Sequence, residues 1–348
     1  MALVDLHLHS NNSDGEYTPE KVVRLAAGAG VRVIALTDHD TTAGLAEASV
    51  AAQDIQASWA GGVPASAAAQ DVQASWAGRG VQASAAAQDI QASWAGQGVP
   101  ASATVQDVPA SQAEPATSEG RPPGFTFIPG IEMTTEHARE QHILGYKINY
   151  EDAGLKAFIA RLMDMRRARA DNILSYLKKR GVPLQYEQTQ RLTTSNYIGR
   201  PQIAAAMVAA GYAGNIREAF ERYLSGEEFR KIPRPKPSAE EAISAIKAAG
   251  GAAVLAHPDS LRLDDAELAK SAAELKAQGL AGIECHYGVY TREQTEAYTA
   301  IAARLRLVVT GGSDFHGPHV KPGVMIGTGK GGMLDFNDMD IAGKLSAQ

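Results

Sequence analysis

The chain has 348 residues, of which 45% are hydrophobic and 21% are charged, and its formal net charge at pH 7 is -6. This composition fits a globular enzyme, and the acidic balance argues against a protein that binds duplex DNA through a basic surface. The single cysteine, Cys285, excludes an intramolecular disulfide framework and agrees with a reducing compartment. The sequence carries no secretion signal and no apolar run long enough for a membrane span, so we expect a cytoplasmic protein with no membrane partner.

The first forty residues predict a βαβ unit that carries metal-ligand side chains. Residues 3–8 and residues 31–36 have the pattern of strands, and Thr18 is typical of the cap of the helix between them. His7 and His9 are two apart on the first strand, so both imidazoles project to the same face and can bind one ion. A βαβ opening favours a parallel sheet or barrel.

A tandem repeat interrupts the globular pattern between residues 53 and 123. The sequence QDIQASWAG at residues 53–61 recurs with small changes at residues 70–78 and 88–96, and each copy holds one of the three tryptophans. Each unit has few large apolar groups to offset the entropy lost on ordering it. We therefore expect a low-complexity, disordered insertion without a catalytic role. A small module stacked around the tryptophans is the alternative.

After the repeat, apolar segments again end in polar residues. One such segment precedes Glu132, a second precedes His257, and a third leads into residues 313–316, which read SDFH. Barrel enzymes build their sites in this way, on the face formed by the loops that follow the strands. Between the first and second of these segments, residues 152–237 predict a set of helices.

Six motifs in this chain occur in the same order as in a known enzyme family. They are His7-x-His9 with Asp14, TDHDT at residues 37–41, GIE at 130–132, HILGY at 142–146, AHP at 256–258 and SDFH at 313–316. Together they resemble the PHP (polymerase and histidinol phosphatase) family of metallophosphoesterases. Each motif alone is weak, but the ordered set is specific, and it spans nearly the whole chain apart from the repeat.

Two further segments resemble one branch of that family. Residues around Arg200-Pro201 and the sequence AFERYL at 219–224 are similar to the TrpH-like branch. Members of this branch include 3',5'-nucleotide phosphatases and 5'-to-3' exonucleases that act on short RNA.

The resemblance implies an α/β fold, a distorted (β/α)7 barrel of the TIM-like type. Residues 1–52 and 124–151 would form the first part of the barrel, and residues 238–348 the second part. Residues 53–123 would be the repeat insertion, and residues 152–237 a small inserted helical domain.

The resemblance also implies two or three divalent metal ions, held by nine side chains. The expected ligands are His7, His9, Glu132 and Asp314 for the first ion, Glu132, His142 and His257 for the second, and Asp14, His39 and His316 for the third. We assign the catalytic roles to Asp314, His316 and Glu132. This mixed nitrogen and oxygen set favours Mn²⁺, with Zn²⁺, Fe²⁺ or Mg²⁺ as alternatives.

Three residues are candidates for substrate contact. Arg200 is the first, because a guanidinium group binds phosphate through two parallel hydrogen bonds. Gln202 stands where the family often has a histidine, and its amide can donate a hydrogen bond but not a proton. Glu284 ends a predicted strand and matches a glutamate common in the branch. A role in orienting a histidine is its alternative interpretation.

The expected activity is hydrolysis of the 3'-phosphate of nucleoside 3',5'-bisphosphates, together with 5'-to-3' exonuclease action on short 5'-phosphorylated RNA. The partners would then be a small phosphorylated nucleotide or a short RNA. One alternative is a phosphatase for histidinol phosphate, and another is a non-catalytic regulatory PHP module. The second alternative is disfavoured because a degenerate site would have lost several of the nine ligands.

Overall fold

The computed structural model describes residues 2–60, 124–191 and 198–347. Seven strands form one sheet in which each strand lies beside its neighbour in the chain. These strands are β1 (Val4–Leu8), β2 (Val33–Leu36), β3 (Thr126–Thr135), β4 (Gln141–Tyr146), β5 (Ala252–Leu255), β6 (Gly282–Tyr287) and β7 (Val308–Gly312). A short separate hairpin is formed by β8 (Val324–Met325) and β9 (Gly329–Lys330).

Helices fill most of the connections between these strands. They are α1 (Pro19–Gly28), α2 (Leu45–Ala60), α3 (Ala153–Lys179), α4 (Tyr186–Gln190), α5 (Arg200–Ala209), α6 (Ile216–Arg222), α7 (Glu227–Arg230), α8 (Ala239–Ala248), α9 (Asp265–Ala277), α10 (Arg292–Leu305) and α11 (Ile341–Ser346). A 3-10 turn, Pro258–Leu261, follows β5. As expected, Thr18 caps α1, and its side-chain oxygen accepts a hydrogen bond from Lys21 N at 3.3 Å.

The sheet curves into a nearly closed barrel. The pairs β1–β2, β2–β3, β5–β6 and β6–β7 are parallel, whereas β4 runs antiparallel to both β3 and β5. Leu8 forms a parallel bridge with Phe315, and His9 N donates to Phe315 O at 2.9 Å. These contacts bring the first strand beside the end of the last one. The prediction of a distorted, TIM-like α/β barrel is confirmed.

Alternate strand residues pack into two different apolar clusters, because successive side chains of a strand face opposite sides. Ile34 and Leu36 of β2 pack in the cluster that contains buried side chains of α1, α2, α8, α9 and α10. Val33 and Ala35 pack in the cluster that contains Ile341 of α11. The apolar strand residues are therefore divided between the two sides of the sheet.

Helix α2 corrects the predicted start of the insertion. It continues to Ala60, so the first copy of the repeat is largely helical. Ile55 is buried, and the Trp59 ring lies 5.5 Å from the Phe125 ring, centroid to centroid. The repeat begins at residue 53 and predicts the start of the insertion there. The helical packing that continues α2 to Ala60 is not visible in the repeat pattern. The rest of the predicted insertion, residues 61–123, lies outside the described residues.

The helices predicted between residues 152 and 237 are present as α3 to α7. The C-terminal half of α3 packs with α5, α6 and α7 around an apolar cluster of their own, which includes Leu177, Ile203 and Phe229. The N-terminal half of α3 packs against the barrel, where Leu155 and Leu162 join the main core. Helix α3 therefore connects the helical segment directly to the barrel.

No helix within the described ranges is both long and apolar enough to cross a membrane. The cytoplasmic location expected from the sequence stays a prediction.

Candidate metal centre

The barrel brings all nine predicted metal ligands together at one end. His7 and His9 belong to the end of β1 and the residue after it, Glu132 and His142 to the antiparallel pair β3–β4, and His257 to the turn after β5. The remaining ligands lie in the loops after β1, β2 and β7, namely Asp14, His39, Asp314 and His316. Seven of these positions lie at or after the carboxyl end of a strand, as in other barrel enzymes. Glu132 and His142 lie within the strands, because β3 continues to Thr135 and does not end at Glu132 as the sequence predicted.

Glu132 lies at the middle of this group, with five histidine rings around its carboxylate. Oε2 is 3.2 Å from His7 Nε2, 3.2 Å from His9 Nε2 and 3.1 Å from His39 Nδ1. Oε1 is 2.7 Å from His142 Nδ1 and 3.0 Å from His257 Nε2. One buried carboxylate that faces two sets of imidazoles has the arrangement of a bridging metal ligand.

Two further carboxylates complete the centre. Asp314 Oδ1 is 3.3 Å from His9 Nε2 and 3.3 Å from His316 Nδ1. Asp14 Oδ1 is 3.3 Å from His316 Nε2, and Asp14 Oδ2 is 3.7 Å from His39 Nε2. His316 therefore lies between the two aspartates, with one ring nitrogen near each.

Four combinations of these side chains bring one ligand atom from each member within 4.8 Å of the others. They are His9, Asp14, His39 and His316; His7, His9 and Asp314; His7, Glu132 and His257; and His39, Glu132 and His142. All nine residues occur in at least one combination. The first combination contains the three ligands predicted for the third ion, together with His9. The ligands predicted for the second ion fall into two combinations, since Glu132 groups with His257 in one and with His142 in the other.

Several buried atoms in the centre have no hydrogen-bond partner among the described residues. They are His7 Nε2, both ring nitrogens of His9, His39 Nδ1 and Glu132 Oε2. His39 Nδ1 and Glu132 Oε2, for example, lie 3.1 Å apart without the geometry of a hydrogen bond. Leaving each such atom unsatisfied costs about 1–3 kcal/mol, and a divalent cation would satisfy them together. The residues therefore fit divalent metal ions.

The carboxylates and histidines of the centre shift each other's pKa values. Burial lowers the pKa of His9, but Asp314 and Glu132 outweigh this effect and raise it to about 9, so this ring is protonated at neutral pH in the absence of a metal. Burial lowers the pKa of His39 to about 3, so its imidazole is neutral and keeps a lone pair for a metal. Burial raises the pKa of Glu132, but the surrounding histidines outweigh this effect and hold the pKa well below its usual range. Asp14 behaves in the same way, with His39 and His316 as the groups that lower its pKa. The carboxylates are ionised acceptors at neutral pH.

Glu284 is placed behind the metal ligands and not in the path of a substrate. It is fully buried, its Oε1 lies 2.9 Å from His7 Nδ1, and its Oε2 accepts a hydrogen bond from His257 N at 2.7 Å. Both oxygens are occupied by protein groups, so the position does not support the predicted substrate contact. It matches the alternative interpretation, in which Glu284 fixes the tautomer and orientation of His7.

Two contacts to Asp314 were not predicted from the sequence. Tyr287 donates its hydroxyl to Asp314 Oδ2 at 2.5 Å, and Lys321 Nζ donates to the same oxygen. Asp314 itself has a positive φ of 56°, a conformation that costs a non-glycine residue about 1–2 kcal/mol. Tyr287 is the last residue of β6, three positions after Glu284. Its place at a strand end is a sequence signal that could have indicated a role in the centre.

A buried aspartate shapes the loop that carries Asp14. Asp38 accepts hydrogen bonds from Ser10 N at 2.7 Å, from Ser10 Oγ at 2.6 Å and from Ser13 Oγ at 2.7 Å. These bonds tie the loop after β1 to the loop after β2. The positions of Asp14 and His39 relative to each other are therefore fixed by these bonds.

The metal centre opens into a cleft of about 1140 Å³ that extends to the helical segment. Asp14, His39 and His142 form part of its wall. Eight basic residues line it, against five carboxylates. The basic residues are Arg139, Arg166, Arg169, Arg200, Arg230, Arg234, Lys236 and Arg262. Although the whole chain is acidic, the cleft has an excess of positive charge.

The two remaining predicted substrate contacts differ in position. Arg200 is exposed at the first position of α5 and lines the cleft. Gln202 turns its side-chain oxygen back to accept a hydrogen bond from Gly199 N at 2.9 Å. Gln202 thus caps its own helix, and the residues that line the cleft include Gly199, Arg200 and Pro201 but not Gln202.

Comparison with known proteins gives consistent matches over most of the chain. The PHP domain family matches residues 5–277. A 3',5'-nucleoside bisphosphate phosphatase from Chromobacterium violaceum is 26% identical over 320 residues, which are 91% of this chain and 88% of that protein. The 5'-3' exoribonuclease Rnm from Escherichia coli is 27% identical over 320 residues, 91% of this chain and 86% of that protein. Among solved structures, a protein from Bifidobacterium adolescentis, described as a proposed metal-dependent phosphoesterase, superposes with a TM-score of 0.66 at 26% identity over 99% of this chain and 95% of that one.

Proposed function

Because the chain belongs to the PHP-domain family, we propose that it hydrolyses the 3'-phosphate of nucleoside 3',5'-bisphosphates and removes nucleotides from the 5' end of short RNA. That it is a metal-dependent phosphoesterase follows from the family and from the clustered ligands. The choice of substrate is supported by the relatives, one named a bisphosphate phosphatase and another an exoribonuclease. The observation that carries the proposal is the convergence of nine buried or partly buried donors at the end of a cleft with excess positive charge.

In this proposal the nine side chains hold two or three divalent ions, with Mn²⁺ as the first candidate. Bound ions of this kind activate water and neutralise the charge of a phosphate group under attack. Glu132, Asp314 and His316 would be among the side chains that hold these ions, and Glu132 belongs to two of the candidate ligand combinations. The chain's own contribution is to fix these ligands through Glu284, Tyr287 and Lys321, and to attract the substrate through the basic cleft.

The two proposed activities require the same bond cleavage. Water adds to the phosphorus on the 3' oxygen of a nucleotide, the bond from phosphorus to that oxygen breaks, and the oxygen takes a proton. With a nucleoside 3',5'-bisphosphate the products are inorganic phosphate and the nucleoside 5'-phosphate. With RNA the products are a nucleoside 5'-phosphate and a shorter chain that retains a 5'-phosphate. One centre therefore accounts for both activities without a second catalytic group.

Release of phosphate from adenosine 3',5'-bisphosphate in the presence of Mn²⁺ tests this proposal. Histidinol phosphate serves as the substrate of the alternative phosphatase, and Asp314→Asn as the variant without a metal ligand. Asp338→Asn is the matched control, since Asp338 pairs with Lys344 on the surface, away from the centre. We expect hydrolysis of the nucleotide that is lost in Asp314→Asn and kept in Asp338→Asn. Hydrolysis of histidinol phosphate alone, or of neither substrate, would contradict the proposal.

A further inference from the structure

Arg166 connects the helical segment, α3 to α7, with the loop that follows β2. It lies in the middle of α3, between Leu162, which packs in the main core of the barrel, and Ala170, which packs in the cluster of the helical segment. Arg166 Nε donates to Asp40 Oδ2 at 2.8 Å, and Arg166 Nη2 donates to the same oxygen and to Thr134 Oγ1. The ion pair joins residues that are 126 positions apart in the sequence.

Asp40 directly follows the candidate ligand His39 and determines the conformation of its loop. Asp40 Oδ1 accepts a hydrogen bond from Thr134 N at 2.8 Å, and Asp40 N donates to Glu132 O at 2.9 Å. These bonds continue the contact between β2 and β3 beyond the end of β2, where His39 forms a parallel bridge with Glu132. Asp40 has a positive φ of 52°, a left-handed conformation that side-chain hydrogen bonds must support.

The ion pair between Arg166 and Asp40 is largely buried. Only 5% of the Asp40 side chain and 20% of the Arg166 side chain are exposed. A buried carboxylate that loses its cation carries an uncompensated charge. It can then be hydrated only by turning out of its position, and His39 moves with it because the two residues share a peptide bond. His39 Nδ1 lies 3.1 Å from Glu132 Oε2, so a small displacement changes the distance between two candidate ligand atoms.

We propose that Arg166 is a positioning residue of the metal centre, which acts through Asp40 to hold His39 in place for an ion. By this inference the helical segment takes part in metal binding, although it supplies none of the nine candidate ligands. His39 belongs to two of the four ligand combinations, so the effect is confined to the ions that His39 holds. The inference rests on the metal centre of the proposed function but not on the choice of substrate.

Two substitutions break the contact from opposite sides. Asp40→Asn replaces the oxygen that faces Arg166 by a donor, while its remaining oxygen can still accept from Thr134 N. Asparagine also tolerates the left-handed conformation, so this variant does not strain the backbone. Arg166→Gln removes the cation itself. Arg161→Gln is the matched control, because Arg161 lies on the same helix and pairs with Glu241 at 2.9 Å.

Calorimetric titration with Mn²⁺ measures the number of bound ions and their affinities in the wild type and in these variants. We expect Asp40→Asn and Arg166→Gln each to weaken one class of ion about tenfold, with the other ions and Arg161→Gln unchanged. The double variant should lose no more affinity than either single variant, because both changes remove the same interaction. The visible absorption of bound Co²⁺, which reports the geometry of its ligands, should change in the same variants.

The outcomes separate this inference from the proposed function. Unchanged Mn²⁺ binding in both variants would overturn the inference, even with a higher KM, because Arg166 would then contact the substrate and not position a ligand. Equal weakening of all ions, with partial unfolding detected by circular dichroism, would also overturn it. A selective loss in folded variants supports it, whether or not the wild type hydrolyses a nucleotide. A wild-type chain that binds no Mn²⁺ would contradict the proposed function, and the inference with it.

Discussion

The Tyr287 hydroxyl donates a hydrogen bond to Asp314 Oδ2 at 2.5 Å, while Asp314 Oδ1 faces His9 and His316 at 3.3 Å. The two oxygens of this carboxylate therefore have different partners. Oδ1 is available to a metal ion, and Oδ2 is held by Tyr287 together with Lys321. Such a division fixes the direction in which the ligand atom points.

Replacing Tyr287 by Phe should weaken metal binding. The ring remains, but Asp314 loses one of two donors on Oδ2, and we expect the affinity for Mn²⁺ to fall about tenfold. Tyr290→Phe is the matched control, because the Tyr290 hydroxyl donates to Asp259 Oδ1 at 2.8 Å, outside the ligand groups. Titration of both variants with Mn²⁺ measures the difference. Equal affinities in the two variants would show that the Tyr287 hydroxyl does not position the ligand.

Replacing Glu284 by Gln should also weaken metal binding, by a different route. The carboxylate accepts from both His7 Nδ1 and His257 N, whereas an amide offers one acceptor and one donor. The amide nitrogen must then face a group that itself donates. We expect a loss of about 10- to 100-fold in Mn²⁺ affinity. A variant that is folded, as judged by circular dichroism, and binds Mn²⁺ as tightly as the wild type would refute the orienting role.

Binding of the phosphorylated substrate in the basic cleft should weaken as the pH rises through about 8, because Lys236 lines this cleft. Burial and then Arg234 lower the pKa of Lys236 to about 8, Glu140 and Asp40 act in the opposite direction, and Arg166 lowers it again. The amine is therefore charged below that pH and neutral above it, so KM for adenosine 3',5'-bisphosphate should increase on the alkaline side.

Lys236→Arg provides the control for this pH dependence, because arginine stays protonated throughout the range. KM is measured between about pH 7 and about pH 9 for both proteins. We expect the increase in the wild type and a flatter profile in the variant. The same alkaline increase in both proteins would assign the titration to another group.

Deletion of residues 61–123 should leave the metal centre intact. The end of α2 and the start of the segment that resumes at Gly124 lie close together. Trp59 packs against Phe125, and a Cβ atom added to Gly124 would lie 3.7 Å from Gln56 Nε2. A short glycine-serine linker can therefore join residues 60 and 124 without disturbing α2 or β3. We expect unchanged Mn²⁺ affinity and phosphate release. Insoluble protein, or loss of metal binding, would show that the barrel depends on the deleted residues.

The barrel and the clustering of the candidate ligands could be predicted because their signals are local; their binding of metal stays a prediction. His7 and His9 alternate with buried leucines along β1 and just after it, and Glu132 and His257 follow apolar runs, so the period of two and these runs indicate them. The start of the insertion could not be predicted in this way. Residues 53–60 of the repeat have the composition of a linker, and only the structure, in which Trp59 packs against Phe125, shows that they continue α2.

The sequence did not indicate Tyr287 and Lys321, and it left two roles open for Glu284, because these roles depend on contacts between distant parts of the chain. Glu284 reaches His7 across 277 positions of sequence, and Tyr287 meets Asp314 through the pairing of β6 with β7. Gln202 was expected to contact the substrate from its place after Arg200, but its side chain caps α5 instead. The spacing of residues along the chain predicts which face of a strand or helix a side chain occupies. It does not predict which residue of another element that side chain contacts.

The stoichiometry of metal binding tests the central claim most directly. Calorimetric titration of the purified chain with Mn²⁺, beside Glu132→Gln, gives the number of ions bound and its dependence on the bridging carboxylate. We expect about two or three ions per chain and the loss of at least one of them in Glu132→Gln. A wild-type chain that binds well below one equivalent would contradict it, because the nine clustered ligands would then not form a metal centre.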